Sequence, residues 1–236
     1  MHAGNLRPQD QFADRIDNSS VPFVPRLLTK PHSLRKFDRE RFVSENAPAE
    51  DDDEDEAEAP VENGRSRSSL NLSRRRGYPH PYEEEIRHIK YPAWLFTPCQ
   101  EQIYLPLGQT KCTWVDTEAA LDELIAKLEA VTEFAVDLEH HSYRSFQGFL
   151  CLMQLSTRSE DFLVDVLALR AHMHRMNGVF ANPAICKVLH GADSDIVWLQ
   201  RDFGIYIVNL FDTGQAARVL GAPFFFFVAL LTRRRE

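Results

Sequence analysis

The chain has 236 residues, 44% hydrophobic and 26% charged, enough for one substantial core or two small ones and too few for a large multidomain assembly. Its net charge of -8 argues against a partner held by a globally basic surface, yet eight of its 35 acids fall between Glu50 and Glu58, and the rest of the chain balances 27 acids against 27 bases. The longest apolar run, Phe224 to Leu231, is far shorter than the roughly 20 residues of a membrane helix, and Cys99, Cys112, Cys151 and Cys186 form no CxxC pair and have no short His spacing, which excludes a membrane span, a structural zinc site and a dense disulfide framework.

Asp10, Asp14 and Asp17 occupy an N-terminus without an apolar stretch, so no secretory signal is expected and the chain reads as soluble and reduced. Residues 1–90 are rich in Gly, Pro, Ser, Asn and charge. Phe23, Val24, Leu27 and Leu28 are too scattered to bury a face, and we expect a disordered region and linker. After the acidic run the sign flips to Arg65, Arg67 and the cluster Arg74, Arg75, Arg76, either a solvated linker or a nuclear-import or nucleic-acid-facing arm.

From about Tyr91 the texture is that of folded protein. Asp116 or Thr117 caps a helix whose Leu121, Leu124, Ile125 and Leu128 recur at helical spacing, ending near Val131. Phe134 to Glu139 is a strand with Phe134, Val136 and Leu138 on one face, which leaves Asp137 and Glu139 together on the other. Phe149 to Leu155 and Phe162 to Val166 continue an antiparallel meander, Arg170 to Phe180 is helical, and Lys187 to His190 returns as a short strand. A helix starts at Asp193 or Ser194 with Ile196, Leu199 and Phe203 inward, Tyr206 to Val208 is a last strand, and Asp212 or Thr213 caps a helix with Ala216, Ala217 and Leu220. The order predicts a mixed α/β sheet with helices packed on it.

Two carboxylates at i and i+2 on one strand face lie about 6 to 7 Å apart at their backbones, close enough for both to reach one divalent ion. An isolated D-x-E is most often a solvent-facing pair. Here apolar residues flank it, and a third acid, Asp195, stands where a helix follows a strand.

The surrounding residues, FAVDLEHHSYRSFQGFLCLMQLS and VLHGADSDIVWLQRDFGIYIVNLFDTGQAA, together with GYPHPYEEEIRHIKYP upstream, resemble the DEDD 3'-to-5' exonucleases, and most closely the RNase D-like exonuclease subunit of the nuclear RNA exosome. The likeness runs from about Arg76 to Leu220, with 91–220 as the exonuclease domain. It implies an RNase H-like mixed sheet, two Mg²⁺ ions (Mn²⁺ as a substitute), Asp137 and Glu139 as first-motif metal ligands and catalytic acids, and Asp195, not the nearer Asp193, as the second-motif acid. It implies that His140 and Trp198 contact the terminal nucleotide, Trp198 by stacking, though a tryptophan here also suits ordinary helix packing. His141 and His190 read as structural, since hard Mg²⁺ prefers oxygen ligands. The implied substrate is the single-stranded 3' end of RNA, the implied partners are exosome core subunits, and the implied location is the nucleus, in particular the nucleolus. DNA exonucleases share the acidic motifs, so the acids alone do not choose the sugar.

The family also carries a third motif, a tyrosine four residues before a last metal-binding aspartate. The tail 221–236, GAPFFFFVALLTRRRE, contains neither. We therefore expect activity reduced by orders of magnitude and one sheet face without its cover, with a non-cleaving RNA- or exosome-binding fragment as the competing reading. The four phenylalanines of the tail either substitute for that cover or favour aggregation.

Overall fold

The computed structural model describes residues 7–12, 16, 23–47, 77–98, 102–103, 105–106, 108–143 and 145–221. The acidic run, Arg65, Arg67, the arginine cluster Arg74 to Arg76 and the tail from Ala222 lie outside them.

The described elements, apart from short 3₁₀ turns, are α1 (Arg39–Asn46), α2 (Glu83–Arg87), β1 (Lys111–Val115), α3 (Glu118–Glu129), β2 (Glu133–His141), β3 (Phe149–Ser156), β4 (Glu160–Val164), α4 (Asn177–Phe180), β5 (Cys186–Leu189), α5 (Asp193–Phe203), β6 (Leu210–Asp212) and α6 (Thr213–Val219). The six strands form one sheet in the order β1-β4-β3-β2-β5-β6. The β2, β3, β4 meander is antiparallel, as expected, while β1 joins β4 and β5 and β6 follow β2 in parallel. Alternation along β2 buries Phe134, Val136 and Leu138 and leaves Ala135, Asp137 and Glu139 exposed, because successive side chains point to opposite faces. The core beneath takes Leu121, Leu124 and Leu128 of α3, capped by the Thr117 hydroxyl, which accepts from the Ala120 N–H.

Three expectations change. Strand β1 has no counterpart among the expected elements; of its five side chains only Val115 is buried, so this edge strand shows no alternation to read. The last strand is Leu210–Asp212 rather than Tyr206 to Val208. The Ile205, Tyr206 and Val208 N–H groups are taken instead by the Leu199 carbonyl, the Asn177 side chain and the Phe180 carbonyl, and Asn209, at φ 64°, turns the chain before it meets β5. The segment expected as one helix from Arg170 is a 3₁₀ turn, Met173–Met176, followed by the four residues of α4, with Met173, Met176, Val179 and Phe180 buried.

The first ninety residues also depart from a plain linker. Leu27 is 3% exposed and forms a second small core with Tyr82, Ala181, Tyr206 and Val208. Around it the Tyr82 hydroxyl donates to the Pro31 carbonyl (3.1 Å) and accepts from Asn177 Nδ2 (3.1 Å). Lys30 Nζ pairs with the buried Glu85 at 2.7 Å, and Glu85 also accepts from the Leu34 N–H. Phe23, Val24 and Leu28 stay exposed, as their scatter predicts, and Leu27 alone of the four is buried, because the receiving surface lies on the domain itself and needs no periodicity in the segment.

Candidate active site

Asp137 and Glu139 stand on the open face of β2 and are joined by a residue that no spacing in the sequence singles out. Gln154 lies opposite Asp137 across the β2–β3 pair, and its Nε2 donates to Asp137 Oδ2 (3.4 Å) and Glu139 Oε1 (3.2 Å). Only the cross-strand register makes Gln154 a neighbour of both acids.

Asp195 lies in the first turn of α5. Burial raises its carboxyl from 3.8 to about 6, with the charges of Asp137 and Asp212 adding in the same direction. Asp195 and Asp137 are thus neighbours electrostatically, while Glu139 is joined to Asp137 through Gln154. Among the described residues, however, no three His, Cys, Asp or Glu side chains stand gathered as a ready ligand set. In kind the donors suit a hard divalent cation: they are carboxylate oxygens, and one of them is held back from ionising by burial first and by neighbouring negative charge second, the latter of which a cation would neutralise. Asp193 is exposed on the same helix turn.

The register of β2 against β3 shifts between Glu139 and His140, so His140 faces Leu150 and Cys151 is passed over. The irregularity turns His140 toward α5, where its ring stacks on Trp198 at 4.2 Å between centroids and 5° between planes. Arg201 Nη2 donates to His140 Nε2 (3.3 Å); a guanidinium only donates, so that nitrogen carries the lone pair. Burial first, and then the Arg201 charge, push the His140 pKa down, which keeps the ring neutral. Gly148, at φ 66°, passes so close that a Cβ there would lie 2.2 Å from the His140 ring. Arg201 also donates to the carbonyls of Gln147 (2.8 Å) and Gly148 (3.3 Å) and to Asp202 Oδ1 (2.6 Å), while Asp202 Oδ2 accepts from the Leu150 N–H (2.8 Å). The polar face of α5 is in this way fastened to the β2–β3 loop. Trp198 packs on the main core as well as on His140, contacts that belong to the packing reading of that residue.

His141 packs against Phe149 at 5.4 Å, and the exposed His190 donates from Nδ1 to the Thr213 hydroxyl (2.9 Å), which passes its own proton to the Leu189 carbonyl (3.0 Å). These contacts suit the structural roles expected of both histidines. Asp212 caps α6 as expected, accepting from the Gly214 (2.7 Å) and Gln215 (3.1 Å) N–H groups. It further accepts from Gly191 and Ala192 at the start of α5. Burial opposes its ionisation, but these backbone donors hold its carboxyl below the usual range. A cavity of about 440 Å³ opens beside Asp137, lined among others by Ala135, Gln154, Ser156, Val188 and Thr213.

Residues 112–224 match the family of 3'-5' exonucleases. This stretch of the chain belongs to that family. The chain is 45% identical over 228 residues, 93% of its length, to exosome complex component 10 of Rattus norvegicus, and 43% identical over 221 residues, 92% of its length, to the exosome complex exonuclease RRP6 of Saccharomyces cerevisiae. It spans about a quarter of the length of these curated relatives, 25% and 26%. Among solved structures, the catalytic core of RRP6 from Trypanosoma brucei aligns with a TM-score of 0.71 at 38% identity, covering 93% of this chain and 51% of that one. The expected exonuclease fold is therefore present, and exonucleases of this family work with divalent metal ions. Among the described residues no helix is long and apolar enough to cross a membrane.

Proposed function

We propose that this chain is the catalytic portion of a 3'-5' exoribonuclease of the nuclear exosome, acting on single-stranded RNA 3' ends in RNA processing, including ribosomal RNA, with residues 91–220 as the catalytic unit. One observation carries the reading: Asp137 and Glu139 stand together on the open face of β2, both bonded to Gln154, and Asp195 at the head of α5 has its carboxyl raised to about 6 by burial first and then by the Asp137 charge. Holding Asp137 and Glu139 side by side and Asp195 within reach of the Asp137 charge, with no counter-charge between them, costs stability that a bound cation would return. Exosome-named relatives and an RRP6 catalytic core of the same fold point the reading toward RNA.

Asp137, Glu139 and Asp195 would hold divalent ions, Mg²⁺ by preference and Mn²⁺ as a substitute. Bound there, the ions supply an activated water and stabilise the leaving 3'-oxygen. The rest falls to the protein. Until an ion takes its place, Gln154 holds Asp137 and Glu139 together. Neutral His140, stacked on Trp198 and braced by Arg201, forms a rigid aromatic wall beside the acids for the terminal nucleotide. Arg74, Arg75 and Arg76 belong to the same proposal as a basic arm for RNA or nuclear import. Nuclear, and in particular nucleolar, residence follows from the exosome assignment.

The absence, among the described residues, of a gathered three-ligand set favours a second reading, in which the chain binds RNA or exosome subunits without cleaving. A 5'-labelled single-stranded RNA incubated with the protein and Mg²⁺ or Mn²⁺ separates the two. The enzyme reading expects stepwise shortening from the 3' end that Asp137→Ala abolishes; RNA bound but left intact selects the binding reading.

A further inference from the structure

We propose that Asp212 is a positioning residue for Asp195, its carboxylate fixing where the first turn of α5 begins. Helix α5 has no side-chain cap of its own, since Ala192 holds the N-cap place. The missing acceptor comes from β6: Asp212 Oδ2 accepts from the Ala192 N–H at 2.9 Å, and Oδ1 accepts from the Gly191 N–H at 2.9 Å. Oδ1 also takes the Gly214 and Gln215 N–H groups at 2.7 and 3.1 Å. Three of the four donors crowd Oδ1 and one takes Oδ2, so four backbone N–H groups fix the orientation of this one carboxylate. Asp212 in this way joins the heads of α5 and α6.

The joint is close-fitting. A Cβ on Gly214 would lie 3.1 Å from Asp212 Oδ1 and 3.1 Å from the Gly191 nitrogen, close enough to press the two segments apart by a few tenths of an ångström. The chain of His190 Nδ1, Thr213 Oγ1 and the Leu189 carbonyl ties the same two segments a second time. Asp195 lies three residues beyond Ala192, within the first helical turn, so displacement of Ala192 moves the Asp195 carboxyl with it. Partners that hold a ligand in place typically change metal affinity by about 10- to 100-fold when lost.

The inference rests on the reading that Asp195 helps hold a divalent cation, and Mn²⁺ titration followed by electron paramagnetic resonance tests both separately. Asp212→Asn retains an oxygen for three of the four donors and turns an amide toward the Ala192 N–H. We expect Mn²⁺ to bind this variant about 10- to 100-fold more weakly than the wild-type chain, with an unchanged far-ultraviolet circular dichroism spectrum. The loss should be equal at low and high salt, because a displaced ligand is not restored by screening. Affinity within about threefold of wild type, or a loss that disappears at high salt, overturns the inference and leaves Asp212 a cap or a distant charge. If Asp212→Asn unfolds, Gly214→Ala is read in its place: it keeps every hydrogen-bonding group and only forces the joint apart, so unchanged Mn²⁺ affinity in it is equally contradictory. Wild-type chain that binds no Mn²⁺, or binding that Asp195→Asn leaves intact, overturns the underlying metal reading instead.

Discussion

Replacing Asp195 by Asn should stabilise the metal-free protein while removing its response to divalent cations. In the folded chain the carboxyl is raised from 3.8 to about 6, so the fold holds this proton more tightly than the unfolded chain does. The associated stability is complete below about pH 3.8 and is lost as pH rises through 6. Taken in full, a shift of about two units is worth about 3 kcal/mol above pH 6. The carboxyl is only half-buried, and solvent screening leaves about 1 kcal/mol. Asn has the same shape without the charge. In chelator at about pH 8, Asp195→Asn should therefore melt about 3 °C above the wild-type chain, and the gain should shrink to about a third at about pH 4.5. Adding Mg²⁺ or Mn²⁺ should reverse the order, raising the wild-type melting temperature and leaving the variant where it was. Thermal melts by circular dichroism at the two pH values, with and without cation, give all four numbers. A variant that melts at or below the wild-type temperature in chelator at the higher pH, or a cation that raises both equally, would refute the reasoning.

Leu27→Ala should cost about 2 to 3 kcal/mol in urea unfolding, because Leu27 closes the small core with Tyr82 and Tyr206; a cost under about 0.5 kcal/mol would mean that the segment does not belong to the fold. Gly148→Ala should lose about 1 to 2 kcal/mol to its left-handed backbone alone and should displace the His140 ring, seen as shifted imidazole resonances. Trp198→Ala should weaken single-stranded RNA binding about tenfold in a fluorescence titration, the scale of one lost base stack.

The acid pair was legible because alternation along a strand is a local property: Phe134, Val136 and Leu138 inward places Asp137 and Glu139 outward whatever the sheet does next. The periodic face of α3 and the head of α5 were legible for the same reason. What escaped depends on pairing. Gln154 matters only through its register against Asp137, and Asp212 only through backbone groups 20 and 21 residues away. Edge strand β1 buries one side chain and so writes no pattern. Tyr206 to Val208 has the composition of a strand, but Asn177 and Phe180 compete successfully for its backbone. Leu27 and Tyr82 form a core across a long stretch of sequence, with partners that have no common period.

The most direct test of the central claim is anomalous diffraction from crystals of the protein soaked in Mn²⁺. We predict a peak about 2.0 to 2.6 Å from carboxylate oxygens of Asp137 and Glu139, with Asp195 turned toward the bound ions and the Gln154 amide drawn away from the acids. Mn²⁺ that leaves this face without a peak, with the Gln154 bonds to Asp137 and Glu139 intact, would contradict the account.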